Sequence, residues 1–126
     1  MKQFSIMIIC IIVLVTGGIF EIKYLEKSSI YLSTDMDYIK SAINSDNFLL
    51  AKEQIDKSWH TWESLKNTWN MFIIHEEIDD IEEAMIELKE YINYENKEEC
   101  IVAIEKVKRN LEHTVKRQEL KIDNVL

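Results

Sequence analysis

No proline occurs in this chain, and its only two glycines stand side by side at Gly17 and Gly18. Tight β-turns rely on those two residues to preset or invert backbone angles. Past Gly18 that punctuation is absent, so strands would have nothing to turn on. Long helices joined by short polar turns are what such a chain can build, and the expected fold class is all-α. With 126 residues and one apolar segment, there is material for one compact core and not for two.

The apolar segment "FSIMIICIIVLVTGGIF", residues 4–20, carries no charge. Its seventeen residues lie at the short end of what spans a bilayer as a helix. A cleaved signal peptide would end in a small-x-small site, which Thr16-Gly17-Gly18 offers only faintly. An uncleaved signal-anchor over residues 1–20 is the reading taken, with a body over residues 21–126. Bulky Ile9 before Cys10 argues against a lipoprotein. Lys2 and the free amino group favour a cytoplasmic N-terminus, opposed in part by Lys23 and Lys27. The expected location is the cell membrane, single-pass, with the body extracytoplasmic.

Beyond Phe20, 14 basic residues face 23 acidic ones, a net of −9. That charge argues against nucleic acid and against anionic lipid head groups as partners of the body. Cys100 is the one cysteine there, which leaves no intramolecular disulfide and suggests a small apolar packing role.

Apolar positions recur at helical spacing in four stretches. The first is Leu25, Leu32, Met36, Ile39 and Ile43, with Ser28 or Ser29 filling the gap. Nothing separates it from the apolar segment, so one helix is expected to run from the membrane to about Ile43. "NSDN" (44–47) supplies turn and cap residues. Phe48, Ala51, Ile55, Trp59, Trp62 and Trp69 make the second stripe, and Ile74, Ile78, Ile81, Met85, Leu88 and Ile92 the third. "NYEN" (93–96) ends that stripe, and Asn96 with Glu99 resembles a capping box that opens the last helix through Cys100, Ile104, Val107, Leu111 and Val115. The two turns share Ile, Asn, an acid, Asn and a later Ile at an offset of 49, which suggests two helical hairpins of one type.

Between Trp69 and His75 no strong breaker stands, yet two arguments require a turn. Trp69 and Ile78 are nine positions apart and would face opposite sides of a straight helix. A second helix as long as the first also returns the chain to the bilayer near residue 71, and the charges of "HEEIDDIEE" forbid it to enter lipid. A turn within Asn70–His75 follows, with Trp69, Met71, Phe72, Ile73 and Ile74 near the interface. The fold expected is an N-terminal transmembrane helix continuing into an antiparallel bundle of two hairpins. Three long helices in a Z-like arrangement are the alternative.

The run after His75, with Glu76, Glu77, Asp79, Asp80, Glu82 and Glu83, is the sharpest candidate for chemistry. His75 and Asp79 are spaced i, i+4, and His113 is placed at the same end of an up-down bundle, so the three form a candidate cation site. The pattern nonetheless lacks the second histidine of H-E-x-x-H, and no Glu stands three before any histidine, which removes the di-iron bundle motif. The plainer reading is a solvated acidic face of Glu76, Glu77, Asp80 and Glu83 opposite the apolar stripe. Trp59, Trp62, Trp69, Phe72 and Ile73 are candidates for core or interface packing. No Gly-rich phosphate loop, nucleophile elbow or Cys-x-x-Cys is present.

"HEEIDDIE" with the three upstream tryptophans, "LKEYI" (88–92) and the ending "LEHTVKRQELKIDNVL" (111–126) resemble the domain-of-unknown-function 4363 family. That family consists of small single-pass membrane proteins of spore-forming, mostly anaerobic bacteria. The resemblance implies a helical body, no assigned activity, and a multi-pass membrane protein as a partner, since such proteins are often encoded side by side. Members often carry proline just after the "EH" pair, where Thr114 and Val115 stand here, so no kink is implied.

The function expected is a membrane-anchored, non-enzymatic helical accessory protein of a bacterial membrane complex. It contacts the bilayer through residues 4–20 and probes another integral membrane protein with the Trp69–Ile74 corner or the acidic face. No cofactor, nucleic acid or small-molecule substrate is called for. The alternative is an extracytoplasmic cation- or ligand-binding bundle using His75, Asp79 and His113.

Overall fold

The computed structural model describes residues 1–125, with Val125 in its backbone only, so the last residue of the expected bundle, Leu126, lies outside them. The described residues form α1 (Lys2–Asn44), α2 (Phe48–Trp69), α3 (His75–Asn93) and α4 (Lys97–Val125), without a strand. α1 is one unbroken rod of 43 residues, about 65 Å at 1.5 Å per residue. Its first thirteen residues, 2–14, are all exposed and project beyond the bundle.

Each helix packs against its neighbours in sequence, and α4 closes the ring onto α1. This is the antiparallel arrangement of two hairpins. The Z-like alternative needed one long helix from Asn47 to Ile92, and the break at Asn70–Ile74 removes it.

The core follows the stripes: Leu25, Leu32, Met36, Ile39 and Ile43 from α1, Ala51, Ile55, Trp62 and Trp69 from α2. α3 gives Ile78, Ile81, Met85, Leu88 and Ile92, and α4 gives Cys100, Ile104, Val107, Leu111 and Val115. Each such side chain removed from water contributes roughly 1.5–3 kcal/mol before entropy is counted. Both Ser28 and Ser29 occupy the gap in the α1 stripe, and both are buried.

Four positions depart from the expected pattern, the first being Phe48, which is only half-buried at the start of α2. Ser58, not Trp59, holds the core position on α2, and Trp59 lies half-buried at its edge. Ile73 is buried in place of Ile74, because Ile74 is the extended residue before α3 and its side chain leaves the helical register. Glu77, expected on the solvated face, is buried against α4.

The turns at 44–47 and 93–96 repeat bond for bond at the offset of 49. Asp46 N–H donates to Ile43 O at 3.0 Å and Asn47 N–H to Ala42 O at 2.9 Å. Glu95 N–H and Asn96 N–H do the same to Ile92 O and Tyr91 O, at 3.0 and 3.1 Å. Each is a Schellman closure whose left-handed residue, Asp46 (φ 59) or Glu95 (φ 55), is not glycine. Asn47 and Asn96 then cap the following helices, their side-chain oxygens accepting from Leu50 N–H and Glu99 N–H.

The equivalence extends along the helices. Lys40–Glu105 joins α1 to α4 at 3.1 Å, and Lys89–Asp56, the same two positions shifted by 49, joins α3 to α2 at 3.2 Å. Core pairs such as Met36 and Met85, Ile43 and Ile92, and Ile55 and Ile104 stand in the same relation. The bundle is two hairpins of one design related by an approximate two-fold.

Candidate functional site

The tryptophans expected at an interface divide by burial. Trp62 and Trp69 are inside the fold, edge to face with ring centroids 5.5 Å apart. Their indole N–H groups are satisfied there, Trp62 by Glu82 Oε1 at 3.2 Å and Trp69 by Ser28 Oγ at 3.3 Å. Ile73 is buried as well, so Trp62, Trp69 and Ile73 are not free to meet a partner. Trp59 spends its N–H on Glu63 Oε1 at 2.8 Å. Of the expected corner, Phe72 remains half-buried against the edge of Tyr24 at 6.5 Å, and Met71 and Ile74 are the exposed members.

The acidic stretch behaves as one face except at Glu77 and at Glu82, which is half-buried against Trp62 and Lys66 of α2. Glu76, Asp79, Asp80 and Glu83 are exposed, as is His75. α3 begins without a side-chain cap, and Glu76 and Glu77 in its first turn complement the helix dipole instead. Glu77 turns inward and accepts from Arg117 at 2.8 Å. His113 lines a cleft of about 210 Å³ between α3 and α4, with Glu77, Asp80, Arg109 and Arg117 around it. Asn110 donates from its amide to the Asp80 carbonyl at 3.2 Å across the same cleft. Lys106–Glu87 continues the polar seam at 3.1 Å. Among the described residues no three His, Cys, Asp or Glu side chains are placed to hold one metal ion, so His75, Asp79 and His113 are not gathered into a site. α4 continues unbroken through Thr114 and Val115, with the Thr114 hydroxyl donating back to Asn110 O at 3.0 Å.

A groove between α1 and α2 was not legible in the sequence. Its foot is lined by Gly17, Phe20, Tyr24, Thr68 and Phe72, and its upper part by Tyr24, Tyr31, Thr61 and Leu65. The two parts enclose about 370 and 410 Å³. The adjacent glycines face different surroundings. A Cβ at Gly17 would meet nothing within 4 Å, whereas one at Gly18 would lie 3.6 Å from Ile122 of α4. α4 thus covers one side of the glycine pair and leaves the other bare.

Two carboxyl groups near the helix contacts are held above their usual range. Asp35 is raised by burial, partly offset by the hydrogen bond from Ser58 at 3.1 Å. Glu119 is raised by its hydrogen bond with Glu26, with Asp123 adding repulsion. The Cys100 thiol is pushed up to about 11 by burial, which keeps it an inert core group.

These features define an all-helical bundle carried on a long apolar N-terminal helix, compatible with a membrane anchor or a signal sequence. The family model described as domain of unknown function (DUF4363) matches residues 19–125, and the chain belongs to that family. No curated protein and no solved structure matches the chain.

Proposed function

We propose that this chain is a membrane-anchored, non-enzymatic accessory subunit of a bacterial membrane complex. Its N-terminus is cytoplasmic, its four-helix body lies outside, and its partner is another integral membrane protein. The observation that carries the reading is the unbroken passage of α1 from an apolar segment with almost no intramolecular cover into the bundle core. A segment so long, apolar and uncovered is well suited to a lipid environment. Because no hinge separates it from the core, any partner that holds the span also fixes the orientation of the body.

The groove beside Gly17 suits such a partner. Its foot lies at the level of the apolar segment and its top at Tyr31 and Thr61, well clear of it. A transmembrane helix that continues past the membrane surface, built as α1 itself is built, contacts both levels. Bare backbone at Gly17 allows close approach of that helix.

The test is a detergent pull-down from native membranes with the full chain and with Gly17→Leu. A leucine there meets no atom of its own chain at the Cβ, so the fold is kept while the groove is filled. The wild type is expected to retain one reproducible membrane-spanning protein and Gly17→Leu to lose it. A wild type that retains none, or a Gly17→Leu variant that binds as well, overturns the reading.

A further inference from the structure

We infer that the base of the bundle makes a second contact with the bilayer, with Met71, Ile74 and Leu120 seated in the head-group layer around Phe20. The inference rests on the anchoring proposed above and adds a surface to it. Two contacts fix the level. Phe72 meets Tyr24 edge-on at 6.5 Å, and Tyr24 stands one helical turn, about 6 Å, above Phe20. Ile122 packs at Gly18, so the end of α4 reaches the same height from another side. The α2–α3 turn and α4 therefore arrive where α1 leaves its apolar segment.

At that height each element presents an apolar side chain outward. Phe20 is 75% exposed, Met71 81%, Ile74 48% and Leu120 62%. They come from three separate parts of the chain and share only their level in the bundle. Interfacial depth is where apolar side chains beside charged neighbours are best accommodated.

Charge is distributed to match. The basal segments 19–29, 66–78 and 112–125 hold seven acidic and six basic residues. Segments 30–65 and 79–111 hold sixteen acidic and eight basic residues. Nearly all the net negative charge is thus carried away from the base, and the end facing the membrane is close to neutral. An anionic bilayer repels the upper bundle and tolerates the base, which sets the body upright on its foot. The exposed apolar residues of the opposite end, Leu49 and Tyr94, sit beside Asp46 and Glu95 in the acidic part.

The experiment uses the full chain in vesicles of phosphatidylcholine and phosphatidylglycerol, with Cys10→Ala and Cys100 left in place because it is buried. Single cysteines at Met71→Cys, Ile74→Cys, Leu120→Cys, Ile9→Cys, Leu49→Cys and Tyr94→Cys carry an environment-sensitive fluorophore. Quenchers on the lipids at head-group and mid-chain depth read its position. Ile9→Cys is expected to be quenched from mid-chain depth. The three basal labels are expected to be quenched from head-group depth several-fold more than Leu49→Cys and Tyr94→Cys. Basal labels that match those two while Ile9→Cys is in lipid overturn the second contact and leave anchoring intact. Ile9→Cys outside lipid overturns both.

Discussion

The indole N–H of Trp69 donates to the hydroxyl oxygen of Ser28 at 3.3 Å, across 41 residues of chain, and Ser28 in turn donates to the Tyr24 carbonyl at 2.6 Å. The serine is the hinge pin between α1 and α2 at the base of the bundle, because it alone gives the buried Trp69 nitrogen an acceptor. Ser28→Ala is expected to destabilise the full chain by about 1–3 kcal/mol, the cost of a buried donor without a partner. Urea denaturation in detergent, followed by tryptophan fluorescence, measures it. A change within the ±0.5 kcal/mol or so typical of surface sites contradicts the role assigned to Ser28.

Asp46 and Glu95 occupy left-handed positions that glycine fills without strain. An L side chain there costs roughly 1–2 kcal/mol, of which the extra freedom of glycine in the unfolded chain returns part. Glu95→Gly is therefore expected to stabilise by about 0.5–1 kcal/mol, the exposed Lys52–Glu95 pair at 3.6 Å contributing little. Asp46→Gly gains less, because the short polar Asp side chain tolerates the left-handed region better than Glu does. Denaturation midpoints of the two single variants check both the sign and the order. A loss of stability in Glu95→Gly refutes the strain argument.

The helices, both hairpin turns and most core positions could be read from periodicity, because each stripe keeps its register over several turns. The errors fall where register is lost or where a small polar residue takes a large one's place. Trp59 looked like core because it is large and apolar, but Ser58 faces inward and bonds to Asp35 at 3.1 Å, a pairing across 23 residues that no local pattern shows. Ile74 looked like the first member of the α3 stripe, yet the stripe starts only once the helix does. Glu77 looked solvated because its partner, Arg117, is 40 residues away. The groove at Gly17 depends on which side of the glycine pair α4 covers, and that is a property of packing alone.

Arg117 and Glu77 give the α3–α4 seam its strongest single dependence. The Glu77 side chain is 9% exposed and that of Arg117 60%, so the acid is desolvated while the base stays partly in water. Breaking a fully buried pair costs about 3–5 kcal/mol, and water around the guanidinium lowers that here to about 1–3 kcal/mol for Arg117→Ala. Glu77→Gln is expected to cost less, since it removes the charge that needs a partner. Arg109→Ala, a change at an exposed arginine of the same cleft, serves as control. Equal stabilities of Arg117→Ala and Arg109→Ala in thermal denaturation contradict the assignment.

Glu119 and Glu26 predict a pH dependence whose sign is opposite to that of an ion-paired acid. The hydrogen bond between them needs a proton, and it raises Glu119 above the ordinary value of 4.5. The folded chain therefore binds that proton more tightly than the unfolded chain does. Its contribution to stability is present in full below the ordinary glutamate range and is lost as pH rises through the raised value. At neutral pH the two carboxylates repel, together with Asp123. Glu119→Gln keeps a hydrogen-bond donor toward Glu26 at every pH. It is expected to melt higher than the wild type at pH 7, with the difference closing below about pH 4, where both forms of the pair are protonated or amide. Melting curves of the two proteins across that range, compared at each pH so that the remaining carboxylates cancel, read the effect directly. A difference that grows on acidification would mean that Glu119 is held as a carboxylate and that the contact with Glu26 does not share a proton.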